Sequence, residues 1–314
     1  MRLGVLDVGS NTVHLLVVDA HAGAHPTPMH DDRWLLRLSE HVDDDDVLSR
    51  AGEKALIKAV QKACDAAQEQ GCDEVMALVT SAIREAVNGL EVLERVRNRT
   101  GVDLQVLSGE DEARLTFLAV RRWFGWSAGR LVVVDIGGGS LELAAGTDED
   151  PEVALSLPLG AGRMTRRFLP DALTGGRPDL AALDELREHA GELLAPAARK
   201  LRKVGDPDLV VATSKTFRTL ARLTGAAPYS AGIWAPRELR QESLDQLVGF
   251  VSRIESGALG ELHGVSVDRA HQVPAGAVVA TATMRSLDVT CVRICPWALR
   301  EGVILRRLDS LGGP

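Results

Sequence analysis

Two stretches of this chain align with each other without a gap: LGVLDVGSNTVHL at residues 3–15 and LVVVDIGGGSLEL at residues 131–143. Asp7 of the first copy corresponds to Asp135 of the second, and the offset of 128 residues (135 − 7) holds throughout. Each copy consists of an apolar strand, a tight turn of small residues headed by an aspartate, and a second apolar strand, which is typical of a β-hairpin. Two equivalent hairpins predict two related domains.

The rest of the chain adds helices and further strands to each predicted domain. Apolar residues at helical spacing predict helices over residues 49–70, 179–203 and 237–255. Short apolar runs predict strands over residues 74–79, 104–107, 153–157 and 209–212. Helices that follow strands indicate an α/β fold in which an antiparallel hairpin opens each sheet.

The length of the chain also indicates two domains. A chain of 314 residues is longer than one hydrophobic core usually organises. The stretch FGWSAG at residues 124–129, directly before the second copy, has the glycines of a junction. We therefore expect domains at residues 1–125 and 126–314, with the last helix returning to pack on the first domain.

Composition restricts the partners of the protein. The net charge of −8 argues against general binding to nucleic acid, which needs a broad basic surface. No apolar run approaches the roughly 20 residues that a membrane span requires, and the N-terminus lacks a basic segment followed by a long apolar stretch. We therefore expect a cytoplasmic protein that binds neither nucleic acid nor membranes and that binds an anionic ligand locally.

The two aspartate-headed turns suit a site for metal and phosphate. Glycines let backbone N–H groups approach phosphate oxygens closely, and an aspartate at the end of a strand can hold Mg²⁺ directly or through water. The hydroxyl groups of Ser10, Thr12 and Ser140 add further donors. One glycine-rich hairpin is often only a structural turn. Two of them at equivalent positions of a duplication predict loops that hold one phosphate chain from both sides.

A third motif, SGEDEAR at residues 108–114, follows one of the predicted strands. Ser108 and Asp111 have the spacing of a capping box, so the motif predicts the start of a helix. The helix dipole favours an ionised carboxylate in the first turn, as a base that activates water requires. The spacing alone leaves open the alternative that Glu110, Asp111 and Glu112 only stabilise the helix.

Seven stretches in this order resemble the exopolyphosphatase and guanosine pentaphosphate phosphohydrolase family, a branch of the actin-like ATPase superfamily. They are DVGSNT at residues 7–12, TSAIREAVN at 80–88, SGEDEAR at 108–114, DIGGGSLEL at 135–143, LPLG at 157–160, PAG at 274–276 and ALREG at 298–302. The resemblance covers nearly the whole chain. It implies two ribonuclease-H-like α/β domains of the actin-like ATPase type, with the active site in an interdomain cleft.

The resemblance also implies roles for individual residues. Glu112 is the expected catalytic carboxylate that activates water, and Arg84 lines the pocket for the terminal phosphate. Asp135 and Glu142 are expected to bind metal, and we add Asp7, the equivalent of Asp135 in the first copy. The expected phosphate-binding loops consist of Gly9, Ser10, Asn11 and Thr12, and of Gly137, Gly138, Gly139 and Ser140.

The implied reaction is metal-assisted attack of water on the end of inorganic polyphosphate, which releases orthophosphate. The implied cofactor is Mg²⁺, with Mn²⁺ as an alternative, and we expect a homodimer. Long members of the family continue into a helical C-terminal domain. We interpret this chain as the short, two-domain form.

One departure from the family bears on the substrate. The chain has Thr213-Ser214-Lys215-Thr216 where relatives often carry Gly-Gly-Thr or Ser-Gly-Thr. A lysine adds bulk and charge where a ribose or a base would need space. We therefore expect Lys215 to bind phosphate and polyphosphate to be preferred over guanosine pentaphosphate. The alternative is that Lys215 only begins a helix and points to solvent.

Other functions and site residues stay open at this point. The nearest alternative is a guanosine pentaphosphate 5′-phosphohydrolase, which would use the same residues on a nucleotide. An ATP-dependent kinase predicts an intact adenosine-binding loop, and a noncatalytic phosphate sensor predicts the loss of Glu112. His14, at the repeat position of Glu142, is either a site residue or a packed histidine. Arg163 and Arg166 rank first among the basic residues that could guide a polyanion.

Overall fold

The computed structural model of this chain describes residues 1–21, 25–43 and 45–311. The chain divides into two compact units: unit 1 comprises Met1–Thr116 and Leu299–Pro314, and unit 2 comprises Phe117–Ala298. The division falls before the expected junction at residues 124–129, and the C-terminal helix belongs to unit 1. Each unit contains one mixed sheet with helices, so the α/β fold class is confirmed.

The secondary structure alternates between strands and helices along the chain. The strands are β1 (Arg2–Val8), β2 (Thr12–Asp19), β3 (Pro28–Leu35), β4 (Glu74–Val79), β5 (Gln105–Val106), β6 (Leu131–Ile136), β7 (Leu141–Gly146), β8 (Val153–Leu157), β9 (Leu209–Ala212), β10 (Glu238–Arg240) and β11 (Cys291–Ile294). The helices are α1 (Arg50–Glu69), α2 (Ser81–Arg84), α3 (Gly89–Thr100), α4 (Gly109–Phe124), α5 (Ala161–Phe168), α6 (Pro170–Leu173), α7 (Leu180–Leu201), α8 (Ser214–Leu223), α9 (Gln241–Val251), α10 (Ser256–Leu259), α11 (Val273–Ser286) and α12 (Leu299–Leu311). Within the described ranges, every helix is too short or too polar to cross a membrane.

Unit 1 is built on a sheet with the strand order β3-β2-β1-β4-β5. β1, β2 and β3 are antiparallel neighbours, β4 is parallel to β1, and β5 is parallel to β4. This is the ribonuclease-H-like arrangement that the resemblance implies. In the hairpin of β1 and β2, Asp7 and His14 occupy directly opposite positions.

β1 and β2 are apolar at nearly every position, as is typical of strands in a sheet that is covered on both faces. On one face, Leu6 and Val8 pack with residues of α1 and α3. On the other face, Leu3 and Val5 pack with Ile304 of α12. Burial of an apolar side chain of this size contributes about 1.5–3 kcal/mol. Helix α12 therefore supplies part of the core of unit 1, although it comes last in the chain.

Unit 2 repeats this sheet and extends it. Its strand order is β10-β11-β9-β6-β7-β8. β6, β7 and β8 form an antiparallel meander, β9 is parallel to β6, and β11 is parallel to β9. β10 is added at the edge, antiparallel to β11. Asp135 and Glu142 occupy directly opposite positions, as Asp7 and His14 do in unit 1.

Most predicted elements are confirmed. The helices predicted over residues 49–70 and 179–203 are α1 and α7, and β4, β8 and β9 have the predicted bounds. The prediction of one helix over residues 237–255 is wrong, because Glu238–Arg240 is β10 and α9 covers only Gln241–Val251. The residues of β10 pair with β11, so the tertiary pairing overrides the local helical pattern.

The segment in which we expected the junction is held tightly within unit 2. Arg121 of α4 is almost completely buried, at 1% exposure. Its guanidinium donates to the carbonyl oxygens of Gly125, Gly129 and Gly146 at 3.3, 2.8 and 3.3 Å. The ring of Trp126 lies 5.6 Å from the guanidinium carbon. Hydrogen bonds from the charged, buried guanidinium of Arg121 therefore hold this segment in place.

Helix α12 lies so close to α4 that only glycine fits at position 302. A Cβ atom on Gly302 would lie 2.0 Å from the carbonyl oxygen of Leu115. We predict that Gly302→Ala lowers the free energy of unfolding by more than about 1 kcal/mol, although alanine favours a helix over glycine by roughly that amount. Denaturant unfolding followed by circular dichroism measures the change.

Gly191 of α7 provides the matched control for this prediction. A Cβ atom there would meet nothing within 4 Å. Gly191→Ala should therefore raise the free energy of unfolding by about 0.5–1 kcal/mol, as expected for an unhindered helix position. Equal effects of the two substitutions would contradict the close contact between α12 and α4.

Candidate phosphate and metal site

In unit 1, the candidate residues lie at the carboxyl ends of the parallel strands β1, β4 and β5. The N-terminal loop, residues 9–12, follows β1, Arg84 ends α2 directly after β4, and Glu112 is in the first turn of α4 after β5. Ligands of α/β sheets bind beyond the carboxyl ends of parallel strands. The topology therefore brings the predicted loop, Arg84 and Glu112 to one edge of the sheet.

Arg84 and Glu112 contact each other. Nη1 of Arg84 lies 3.3 Å from Oε2 of Glu112 and donates to the carbonyl oxygen of Leu107 at 2.9 Å. The two side chains are 17% and 16% exposed, so the ion pair is largely shielded from water. The carbonyl of Leu107 fixes the guanidinium, which in turn orients the carboxylate. The carboxylate expected to act as base and the cation expected to bind phosphate are thus side by side.

The start of α4 shows how the three acids of the SGEDEAR motif differ. The hydroxyl group of Ser108 accepts from the N–H of Asp111 at 3.0 Å and donates to its carboxylate at 2.6 Å. Ser108 therefore caps the helix through its hydroxyl group, as the spacing predicts. Asp111 is engaged in the cap, Glu110 is exposed, and Glu112 is the acid that contacts Arg84.

The N-terminal loop closes the hairpin of β1 and β2. The N–H of Gly9 donates to the carbonyl oxygen of Thr12 at 3.0 Å, and the carbonyl oxygen of Asn11 accepts from the N–H of Leu36 at 2.9 Å. The side chains of Ser10 and Asn11 are buried, at 6% and 4% exposure. Backbone hydrogen bonds and burial therefore give this loop a defined conformation.

The C-terminal loop, residues 137–140, closes the hairpin of β6 and β7 and directs its N–H groups to one side. The donors to the carbonyl oxygens of Gly137, Gly138 and Gly139 are the N–H groups of Ala161 (2.9 Å), Arg163 (2.9 Å) and Gly160 (3.3 Å), respectively. These donors lie at the start of α5. In a trans peptide the C=O of one residue and the N–H of the next point in opposite directions. The N–H groups of Gly138, Gly139 and Ser140 therefore point away from α5, as an anion-binding loop requires.

The LPLG motif explains how α5 reaches the C-terminal loop. A Cβ atom on Gly160 would lie 2.3 Å from the carbonyl carbon of Gly139 and 2.4 Å from the nitrogen of Ser140. Glycine is therefore required where α5 begins. Arg163 adds a side-chain bond from Nε to the carbonyl oxygen of Gly139 at 3.0 Å. Arg163, which the sequence ranked among the candidate basic residues, supports the loop from the side of its carbonyl groups.

Four side chains form a row across the neighbouring strands β9, β6, β7 and β8. Asp135 and Glu142 face each other on β6 and β7, and Glu142 faces Ser156 on β8. The hydroxyl group of Thr213, directly after β9, donates to Oδ2 of Asp135. The hydroxyl group of Ser156 donates to Oε1 of Glu142 at 2.9 Å. We call this group the carboxylate row.

The equivalent positions of unit 1 carry different charges. Asp7 faces His14, and His14 faces Arg33 on β3. Nε2 of His14 lies 2.6 Å from Nε of Arg33, 3.0 Å from Nη1 of Arg300 and 2.7 Å from Oδ1 of Asp31. Burial lowers the pKa of His14 to about 4, and the two guanidinium groups add to this effect, whereas the hydrogen bond to Asp31 and the charge of that carboxylate oppose it. His14 is therefore a buried, neutral, hydrogen-bonded histidine.

The carboxylate row meets the chemical requirements of a hard divalent cation. Among residues 1–21, 25–43 and 45–311, no group of three or more His, Cys, Asp or Glu side chains could hold a metal ion. In unit 2, the candidate metal ligands are the facing pair of Asp135 and Glu142. Asp7, the third expected ligand, lies in unit 1. Mg²⁺ in phosphoryl-transfer sites is usually held by one or two carboxylates together with phosphate oxygens and water. The pair fits Mg²⁺ or Mn²⁺ on that basis.

Lys215 lies on the first turn of α8, two residues after Thr213. Its side chain is half-buried. Together with Thr216, Arg269 and Gln272 it lines a small pocket in unit 2. The cationic groups beside this pocket are compatible with an anionic ligand, and the assignment of Lys215 to phosphate stays a prediction.

Sequence reasoning missed Thr213 and Ser156. One signal could have indicated Thr213, because Thr80-Ser81 and Thr213-Ser214 both follow a parallel strand and precede a helix. The φ and ψ angles of Thr80 are −112° and −152°, and those of Thr213 are −116° and −160°. The duplication therefore extends beyond the two hairpins. Ser156 carried no comparable signal, since its role follows from its register opposite Glu142.

A cavity of about 570 Å³ in unit 2 lies at the amino ends of β6 and β9, at the opposite end of these strands from the carboxylate row. In its lining, carboxylates outnumber guanidinium groups: the carboxylates belong to Asp206, Asp208, Glu238 and Asp288, and the guanidinium groups to Arg202 and Arg293. Carboxylates repel the phosphates of a polyanion. The cavity is therefore unsuited to a phosphate chain, in spite of its volume.

Comparison with known proteins gives a consistent result. Residues 16–311 match the family described as the Ppx/GppA phosphatase family. The exopolyphosphatase 1 of Mycobacterium bovis is 57% identical over 310 residues, which cover 99% of this chain and 89% of that protein.

Solved structures agree with the fold. The crystal structure of an exopolyphosphatase from Cytophaga hutchinsonii superposes with a TM-score of 0.87 at 21% identity, over 99% of this chain and 98% of that chain. A Ppx/GppA family member from Aquifex aeolicus superposes with a TM-score of 0.81 at 24% identity, over 100% of this chain and 99% of that chain. At these identities the likeness shows the fold.

We predict that His14 makes the stability of unit 1 depend on pH. Its pKa is lowered to about 4 in the folded chain from the ordinary 6.5. Between these two pH values, the imidazole binds a proton in the unfolded chain but not in the folded chain. The stability that depends on neutral His14 is therefore complete above pH 6.5 and is lost as the pH falls toward 4. At about 1.4 kcal/mol for each pKa unit, the free energy of unfolding should fall by about 2 kcal/mol between pH 7 and pH 5.

Denaturant titrations of the wild type and of His14→Gln across this pH range test the prediction. Glutamine does not titrate, so the variant should have a flatter pH dependence than the wild type. Burial opposes the ionisation of Asp31, but its hydrogen bonds to His14 and Arg33 and the charge of Arg33 hold its pKa below its usual range, so Asp31 stays ionised in this window. Parallel curves for the two proteins would contradict the assignment to His14.

Proposed function

This chain belongs to the Ppx/GppA phosphatase family, and from that premise we propose that it is an exopolyphosphatase, which releases orthophosphate from the end of inorganic polyphosphate. The observation that carries the proposal is the likeness, over nearly the full length of both chains, to a mycobacterial protein named exopolyphosphatase. The candidate residues supply the chemical groups that such a hydrolysis needs.

Glu112 is the proposed general base. Its carboxylate orients and deprotonates the attacking water, and the neighbouring guanidinium of Arg84 binds the terminal phosphate. The contact between the two groups supports this assignment, because base and phosphate must be adjacent when water attacks. Positioning and electrostatic stabilisation, rather than covalent chemistry, supply most of the rate in phosphoryl transfer.

The two loops bind phosphate oxygens in this proposal. The N–H groups of Gly138, Gly139 and Ser140 point away from α5 and donate to the anion, and the N-terminal loop contributes in the same way. Asp135 and Glu142 hold Mg²⁺ or Mn²⁺. When bound, the metal supplies positive charge that neutralises phosphate oxygens. The carboxylate row supports this part of the proposal, since two facing carboxylates favour a cation.

Guanosine pentaphosphate is the second candidate substrate, because the same residues would cleave the same kind of bond. A phosphate sensor is less well supported, since Glu112 is present and paired with Arg84. A kinase is less well supported, since Lys215 lies in the loop expected to approach adenosine. We also propose a cytoplasmic homodimer that does not bind nucleic acid, and the net charge of −8 supports the last point.

We predict that the wild type releases orthophosphate from polyphosphate and that Glu112→Gln lowers kcat by about 10²–10⁴-fold, the range typical of general-base removal. The amide keeps the size of the side chain and can still accept from Arg84, so fold and substrate binding should persist. Phosphate release at saturating substrate measures the effect, and circular dichroism checks the fold.

Glu110→Gln is the matched control. Glu110 lies two residues before Glu112 in the first turn of α4, is exposed, and has no role in the proposed reaction. Its kcat should stay close to that of the wild type. A Glu112→Gln enzyme that keeps more than about a third of the wild-type kcat would refute the general-base assignment. A wild type that releases no phosphate from polyphosphate would refute the proposed substrate.

We further predict that Lys215→Gly raises KM for polyphosphate and leaves kcat nearly unchanged. The lysine would contact phosphates remote from the reacting one, so its loss affects binding in the ground state and the transition state alike. The effect should shrink at high salt, because salt screens exposed charges. Values of kcat/KM for polyphosphate and guanosine pentaphosphate, in wild type and variant, test this. A wild type that prefers guanosine pentaphosphate would rule out the role of Lys215 in specificity.

A further inference from the structure

The carboxylate row places two like charges between two hydroxyl donors. Like charges directly opposite each other on an antiparallel pair repel, which favours side-chain orientations that turn apart. Asp135 and Glu142 are each held on the outer side of the row by a hydroxyl group, from Thr213 and from Ser156. Hydrogen bonds to ionised acceptors are stronger than those between neutral groups. The two hydroxyl groups can therefore determine where the carboxylates point.

Thr213 is itself placed rigidly. Its side chain is fully buried, at 0% exposure, and its N–H donates to the carbonyl oxygen of Val134 at 2.9 Å. The next residue, Ser214, has a φ of 71° and turns the chain into α8. Because a β-branched side chain has few χ1 rotamers, the backbone largely sets the position of the Thr213 hydroxyl group.

The second hydroxyl group is placed by the sheet. Ser156 lies on β8, directly opposite Glu142, and the pairs on either side of it are also in register. Glu142 is buried, at 3% exposure. A buried carboxylate is costly without donors, so the bond from Ser156 helps to hold Glu142 in place. The two carboxylates thus depend on donors from two different strands.

We propose that Thr213 and Ser156 are positioning residues, which hold Asp135 and Glu142 in the orientation that the metal and phosphate site requires. The inference rests on the proposed function and extends it to residues that need not touch the substrate. Each hydroxyl group acts through the carboxylate it contacts. Loss of such an outer partner commonly weakens metal binding by about 10–100-fold.

A purely structural role of the buried hydroxyl groups is the competing explanation. Thr213→Val keeps the shape of the side chain and removes the donor, and Thr213→Ser keeps the donor. A structural role predicts lower thermal stability with an unchanged requirement for metal. A positioning role predicts a changed requirement for metal, which the serine variant restores.

The test uses Mn²⁺ alone as the first probe. Electron paramagnetic resonance of free Mn²⁺ measures binding to the wild type, Thr213→Val, Thr213→Ser and Ser156→Ala without substrate, and the Mn²⁺ dependence of phosphate release from polyphosphate is measured in parallel. In Thr213→Val and Ser156→Ala, the midpoints should rise by about 10–100-fold. Thr213→Ser should stay close to the wild type, and kcat at saturating Mn²⁺ should change much less than the midpoints.

Thr281→Val is the matched control. Thr281 is also buried in unit 2, and among the residues that the structure describes its hydroxyl group has no hydrogen-bond partner. This substitution should leave both midpoints unchanged. The positioning role is overturned if Thr213→Val and Ser156→Ala stay within about threefold of the wild type, well below the expected range.

The outcomes separate this inference from the proposed function. A wild type that binds Mn²⁺ and releases no phosphate from polyphosphate contradicts the proposed function, whereas unchanged midpoints in an active enzyme contradict only the positioning role. Should Thr213→Val fail to fold, the midpoints of Ser156→Ala decide the question alone.

Discussion

The facing pair of Asp135 and Glu142 is the constraint on which the candidate site of unit 2 depends. The register of one hairpin sets two carboxylates opposite each other, which is unfavourable unless donors or a cation compensate their repulsion. Donors come from Thr213 and Ser156 on the flanking strands. The adjoining loop turns its carbonyl groups to α5 and its N–H groups to the opposite side. The proposed cation site and the proposed anion site thus adjoin each other because of register and hydrogen bonding.

The same hairpin in unit 1 has the opposite electrostatic character. Asp7 keeps the position of Asp135, but His14 takes the position of Glu142, and Arg33 and Arg300 contact its imidazole. Burial keeps His14 neutral. Unit 1 therefore supplies its own positive charge near the aspartate, whereas unit 2 presents negative charge that favours an external cation. One backbone arrangement therefore carries different charges in the two units, because His14 takes the place of one carboxylate and Arg33 and Arg300 lie beside it.

The residues of the motifs that carry the family resemblance fall into two classes. Some carry candidate reactive groups, and others permit or form close contacts within the fold. Glu112 and Arg84 form an ion pair near the carboxyl ends of the parallel strands of unit 1. Gly160 and Gly302 permit approaches that a Cβ atom would block. Asn88 belongs to the second class, since its side-chain amide forms two hydrogen bonds of 2.9 Å with the backbone of Leu48. Motif membership alone does not distinguish these roles.

Local pattern was enough to predict the two hairpins, the α/β class, the long helices α1 and α7 and the cap at Ser108, because each depends on residues a few positions apart. The contacts that shape the candidate site depend on residues far apart in the chain. Pairing with β11 made a strand of residues 238–240 in place of a helix. The donors from Thr213 and Ser156 came from strand order and register. The sequence alone therefore determined which elements form and which acids are candidates, and the tertiary structure decided which side chains hold those acids, because a hydrogen bond requires a distance and a direction that no local pattern encodes.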